Sequence, residues 1–116
     1  MNVGHTEVFV KDPALAKEFY VDVLGFEIET IQRERLVWLK KGPLTILLRP
    51  GRKASSPATY QEAPIGLVFY TDDLKKTSEE LRQRGLKFLG TDGSESCLTF
   101  SDHDGNWFQL VNPQSF

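Results

Sequence analysis

The chain repeats itself, and the repeat constrains its fold more than any other feature. Asp12 and Asp73 stand 61 residues apart, Gly25 and Gly85 stand 60 apart, and both pairs bracket a helix-like stretch. The segment Gly42-Pro43-Leu44-Thr45-Ile46-Leu47-Leu48-Arg49-Pro50 aligns without a gap on Gly105-Asn106-Trp107-Phe108-Gln109-Leu110-Val111-Asn112-Pro113. Each half reads strand, helix, strand, strand, strand. In a chain of 116 residues, units of roughly 55 residues are each too small to bury a good core alone, so they are expected to pack as a pair.

Local chemistry sets the elements. Gly4 to Val10 is a strand rich in β-branched and aromatic residues, stopped by Lys11-Asp12-Pro13. Asp12 is an N-cap and Pro13 occupies the first helical position. From Ala14 to Leu24 a helix carries Leu15, Phe19 and Val23 on one row and Tyr20 and Leu24 on the next, and Gly25 ends it. Phe26 to Ile31 alternates as a half-buried strand, Arg35 to Lys40 and Leu44 to Leu48 are strands around the turn Gly42-Pro43, and Gly51 to Pro64 is a loop. The second half gives a strand Ile65 to Tyr70 and a helix Leu74 to Arg84, capped by Asp72-Asp73 and ended by Gly85. Strands then follow at Leu86 to Leu89, Cys97 to Phe100 and Trp107 to Val111, the last two joined by the turn Asp102 to Asn106.

Composition narrows the function classes. A net charge of −2 and a pI near 5.7 leave no cation excess to neutralise a phosphate backbone, so no nucleic-acid partner is expected. Apolar runs of about five residues fall far short of the roughly 20 that span a bilayer, so no membrane partner is expected. The single cysteine, Cys97, excludes an internal disulfide and suits a reducing, cytoplasmic setting.

Several residues together carry a resemblance. In the first half these are His5 seven before Asp12, Phe19-Tyr20, and Leu24-Gly25-Phe26. In the second half they are Val68-Phe69 with Asp72-Asp73-Leu74, Gly85, and Asp102-His103-Asp104-Gly105-Asn106 before the last strand. The pattern resembles the vicinal oxygen chelate superfamily, which includes glyoxalase I, the bleomycin resistance proteins and the extradiol dioxygenases. The resemblance implies an α+β fold: two βαβββ modules forming a cupped eight-stranded mixed sheet with helices on the convex face. It implies one domain over residues 1–116, with module 1 at about 1–50, a linker at about 51–64 and module 2 at about 65–116. The ligand cavity is then expected on the concave face.

Metal-dependent members of that superfamily hold the metal at four inward positions, one on the first and one on the last strand of each module. Carried over position by position, these fall on His5, Ile46, Gly66 and Gln109. Only His5 and Gln109 can contribute a donor, whereas a catalytic metal needs about three protein ligands. No metal and no cofactor are therefore expected.

The candidate ligand-binding residues are His5, Glu7, Trp38, Ile46, Gly66, Val68, Tyr70, Trp107 and Gln109; none is assigned a catalytic role. His5 either hydrogen-bonds a ligand (or moves a proton) or simply caps a backbone group. Glu7 shares its face by the strand period of two, as an attractor of cations or as an exposed strand-end carboxylate. Trp107, Gln109 and Val111 share a face, with Phe108 and Leu110 toward the helices; Trp107 is either an aromatic cavity plate or a core residue. Trp38 is the second aromatic expected near the cavity, on a face shared with Leu36. Leu44, Ile46 and Leu48 are expected to form an apolar wall, with Val68 and Tyr70 continuing from Gly66.

Other residues have plainer readings. His103 is expected in a solvent-exposed turn, and Cys97 as a buried inert thiol. Lys75–Glu79 and Lys76–Glu80 belong to a solvated helix face. Arg49, Arg52 and Lys53 form a small basic patch that is either solvation or a contact for an anionic ligand.

The expected function is a metal-free small-molecule binding protein of the bleomycin-resistance type, holding an apolar or aromatic organic ligand. The alternative is a metal-dependent lyase, isomerase or dioxygenase of the same superfamily, drawing further ligands from another chain. A metal-free enzyme using His5 or Glu7 as general base is a third reading. Open sheet edges and family analogy favour a homodimer, with the modules paired within one chain or swapped between two.

Overall fold

The structure is a computed structural model, described here for residues 1–51 and 56–115. The chain forms two compact units, residues 1–54 and 55–116.

In the first unit, strand β1 (Thr6–Val10) leads to helix α1 (Pro13–Glu18), a π-helical turn (Phe19–Val23), and strands β2 (Glu27–Gln32), β3 (Leu36–Lys41) and β4 (Leu44–Pro50). The sheet order is β1-β4-β3-β2, parallel between β1 and β4 and antiparallel elsewhere. Asp12 caps α1 by accepting from the backbone N–H of Ala14 at 3.0 Å and of Leu15 at 3.4 Å, behind Pro13 at the first position. The π turn, closed by the Leu24 N–H donating to the Phe19 carbonyl at 3.2 Å, winds in an extra residue. It leaves Tyr20 and Leu24 in the core, while Leu15 is 65% exposed. Only one of the two expected apolar rows is therefore a core row.

Val8, Val10, Val37, Leu39, Ile46 and Leu48 fill the core with Tyr20 and Phe26, whose rings meet edge to face at 5.8 Å. Strand β2 is exposed along its whole length, with Ile28 and Ile31 each at 45%, rather than half-buried as the alternation implied. It is the outermost strand, and the register shift between Ile28 and Thr30 pairs Ile28 with Leu39 and Ile31 with Val37, so both lie on the core-side face but at its open edge.

In the second unit, a 3-10 turn (Tyr60–Glu62) precedes strand β5 (Gly66–Tyr70), helix α2 (Leu74–Gln83), and strands β6 (Cys97–Ser101) and β7 (Trp107–Val111). The order is β5-β7-β6, with β5 parallel and β6 antiparallel to β7. Asp73 caps α2 by accepting from the Lys76 N–H at 3.0 Å, and Gly85 follows at φ +99°. The core is aromatic: Phe69, Phe100 and Phe108 stack at 5.3–6.4 Å, and Phe88 meets Phe100 edge-on at 5.8 Å.

Leu86 to Leu89 is not a strand. Leu86 is buried, and Leu89 and Gly90 exchange hydrogen bonds with Thr99, but Gly90 and Gly93 take φ of +87° and +113° and break the extended run. Leu86 is held by burial, while Leu89 is 45% exposed and the segment meets β6 through Thr99 and an isolated Thr91–Leu98 bridge. Among the described residues the α+β fold thus has seven strands, in sheets of four and three, in place of the expected eight.

Candidate functional site

Strand pairing decides which side chains share a face. In the first unit Glu7 pairs with Leu47, Leu47 with Trp38, and Phe9 with Arg49. His5, two residues before Glu7, joins Leu47, Arg49 and Trp38 on that face. Ile46 pairs with Thr6 and Leu39, faces the opposite way and is fully buried in the core, as are its neighbours in parity, Val8 and Leu48. The expected wall of Leu44, Ile46 and Leu48 therefore belongs to the core side. In register, the partner of Gln109 in the repeat is Leu47. The gapless alignment is off by one residue at this strand, which moves every side chain to the other face.

On this face Arg49 donates to Glu7 Oε1 at 2.7 Å, and His5 Nε2 lies 3.2 Å from Glu7 Oε2. The His5 ring stands edge-on to Trp38 at 4.5 Å, and the Trp38 indole N–H donates to Gln32 Oε1 at 2.9 Å. The Arg49 hydrogen bond holds the Glu7 carboxyl below its ordinary range, outweighing the desolvation that pulls the other way. Glu7 is thus an ionised carboxylate already answered by Arg49, and a poor free attractor of cations. Arg52 and Lys53, the rest of the expected basic patch, lie outside the described residues.

In the second unit Gly66 pairs with Trp107, Val68 with Gln109, and Tyr70 with Val111, so all six share one face with Cys97, Thr99 and Ser101 of β6. Trp107 and Gln109 are buried, whereas Val68 is exposed and Tyr70 is 72% exposed. The chain's own loop supplies the cover. The Trp107 indole N–H donates to the Pro57 carbonyl at 2.9 Å. The Tyr60 ring lies against Gly66 so closely that a Cβ there would sit 2.6 Å from Tyr60 Cε1. The Tyr60 hydroxyl donates to Gln109 Oε1 at 3.5 Å, and Gln109 Nε2 donates to Asp92 Oδ2 at 2.6 Å. Burial, then the nearby Asp92 and Cys97, push the Tyr60 phenol above its ordinary value, which keeps the hydroxyl protonated and a donor.

Sequence reasoning passed over Tyr60, Asp92 and Pro57. Tyr60 did carry a signal, as the only aromatic between Gly51 and Pro64. Cys97 is buried and its thiol is pushed up, chiefly by burial, which makes it unreactive. His103 is exposed, but Asp102 is buried. Asp102 Oδ1 accepts from the N–H groups of Asp104 and Asn106 and Oδ2 from the Asn106 amide, all at 2.8–2.9 Å, so it shapes the turn from within.

Among the described residues, the positions that the superfamily resemblance picks out offer few donors to a divalent metal. Register within each unit puts Leu47, in place of Ile46, and Gly66 at two of the positions where the resemblance implies metal donors, and neither has a side-chain donor. The Gln109 amide is already engaged by Asp92 and Tyr60. Among the described residues no group of three His, Cys, Asp or Glu side chains is placed to hold a metal ion. Among them, too, no helix is long and apolar enough to cross a membrane.

Known proteins are similar to this chain in sequence and fold. The uncharacterized protein YetH of Bacillus subtilis (strain 168) is 29% identical over 119 residues, spanning 93% of this chain and 95% of its own. TnmS3, an antibiotic binding protein from Streptomyces sp. CB03234, superposes with a TM-score of 0.67 at 26% identity, covering 97% of this chain and 98% of its own. Lactoylglutathione lyase from Agrobacterium tumefaciens superposes with a TM-score of 0.71 over 99% of this chain and 96% of its own; at 20% identity that likeness is one of fold. The model of the Glyoxalase/Bleomycin resistance protein/Dioxygenase superfamily matches residues 2–110, and the chain belongs to that superfamily.

Proposed function

We propose that the protein binds a small apolar or aromatic organic molecule and does so without a metal. The observation that carries this reading is that Leu47 and Gly66, at positions where the superfamily resemblance implies metal donors, offer none. Aromatic side chains lie on the same faces: Trp38 backed by His5 in the first unit, Trp107 in the second. Polar groups accompany them, His5 and Arg49 in the first unit and Gln109 in the second, so each face taken by itself pairs aromatic with polar side chains, as a site for a flat organic molecule does. The similarity to TnmS3, an antibiotic binding protein, points the same way. The exposed Ile28 and Ile31 on the outer strand β2 support a homodimer, and light scattering at the monomer mass overturns that part.

The test is a titration of the full chain, dialysed against EDTA, with a panel of polycyclic aromatic antibiotics, read by Trp38 and Trp107 fluorescence. Saturable quenching, unchanged by added Zn, Ni or Mn and weakened in Trp38→Leu, is the expected result. A stoichiometric metal whose removal abolishes binding would instead establish the lyase, isomerase or dioxygenase reading. Silence across the panel also overturns the proposal.

A further inference from the structure

We infer that the face built by β5 and β7 takes a planar aromatic molecule bearing a phenolic hydroxyl, and that Tyr60 occupies the place as a built-in stand-in for it. This rests on the small-molecule reading above and names its ligand class. Three observations converge. First, position 66 is a glycine, and a Cβ there would fall 2.6 Å from Cε1 and 2.8 Å from the hydroxyl oxygen of Tyr60, so the floor is cut to admit the phenol head of a ring. Second, Gln109 beneath it is buried and its amide has a fixed sense: the nitrogen donates to Asp92 Oδ2 at 2.6 Å, which turns Oε1, an acceptor, toward the Tyr60 hydroxyl. Third, that hydroxyl bond is long, at 3.5 Å, while the anchoring bond behind it is short. The acceptor is held in place and the present donor is loosely seated.

Asp92 acts as a positioning residue, since it touches Gln109 and fixes which end of the amide is offered. A buried acceptor without a donor is costly, so the site selects for a hydroxyl and against its methyl ether. Burial together with Asp92 and Cys97 disfavours a phenolate in this place, as the raised value for Tyr60 illustrates, so the ligand binds as the neutral phenol. Because Tyr60 must leave first, the native protein binds more weakly than the uncovered face would.

The experiment compares naphthol and its methyl ether by titration calorimetry on the wild-type chain, on Tyr60→Ala, and on Tyr60→Ala with Gln109→Leu. Tyr60→Ala is expected to bind naphthol at least roughly tenfold more tightly than wild type, and to prefer it over the ether; Gln109→Leu abolishes the preference. A second readout uses the wild-type chain alone, so it survives any folding defect. The nuclear Overhauser contact between the Tyr60 ring and Gly66 is lost on saturation with naphthol. Persistence of that contact at saturation, or no gain in Tyr60→Ala, or equal binding of the ether, overturns the inference. If any of these occurs while wild type still binds the antibiotic panel, only this inference falls. If neither chain binds any aromatic molecule, both readings fall.

Discussion

Arg49 holds Glu7 diagonally across the parallel β1–β4 pair, its guanidinium N–H 2.7 Å from Glu7 Oε1. The bond lowers the Glu7 carboxyl below its unfolded value of 4.5. A lowered folded value means that the contribution is present above 4.5 and is lost as pH falls through the folded value. Melting temperatures of wild type and Glu7→Gln should therefore differ at neutral pH, with the variant lower. The gap should close as pH drops below 4.5. A gap independent of pH would show that Arg49 does not act through the Glu7 charge.

The β2–β3 turn stores backbone strain. Arg33 and Glu34 both sit in the left-handed region, at φ +52° and +59°, where glycine or asparagine is at home. Glu34→Gly should stabilise the fold by about 1 kcal/mol and raise the melting temperature by a few degrees. A lower melting temperature would contradict it.

Phe108 is fully buried between Phe69 and Phe100, with centroid distances of 5.8 and 5.3 Å. Phe108→Ala should cost about 3–5 kcal/mol in urea unfolding, and Phe108→Leu clearly less. A cost under about 1 kcal/mol for the alanine variant would mean that the second unit's core closes around the gap.

Asp102 accepts three hydrogen bonds within its turn while buried. Asp102→Ala leaves two backbone N–H groups without their partner and should cost about 2 kcal/mol. Asp102→Asn keeps one acceptor oxygen and should cost less. Equal losses in both variants would assign the effect to charge rather than to the turn hydrogen bonds.

Local chemistry made much of this fold legible. Asp12 and Asp73 cap as their positions imply, and the alternation in β7 correctly divides Trp107 and Gln109 from Phe108 and Leu110. What escaped depends on partners distant in the chain. Ile46 and Leu47 are both apolar, so composition gives no hint of which faces the core; only pairing with β1 decides. Leu86 to Leu89 carries the apolar signature of burial, which a strand and an irregular segment share. Tyr60 sits in a stretch without periodicity, and its importance lies in contacts with Gly66 and Gln109 that no local pattern encodes.

Tyr60 precedes Gly66 by only six positions, so its ring is never far from the surface it covers. A tether that short behaves as a local concentration on the order of millimolar. A single-ring phenol dissolved well below that concentration is expected to compete poorly with the tethered ring. A molecule with more rings succeeds by gripping surface beyond the reach of one tyrosine. With Tyr60 as the stand-in, a size threshold follows: extended phenols should bind and small common ones should not.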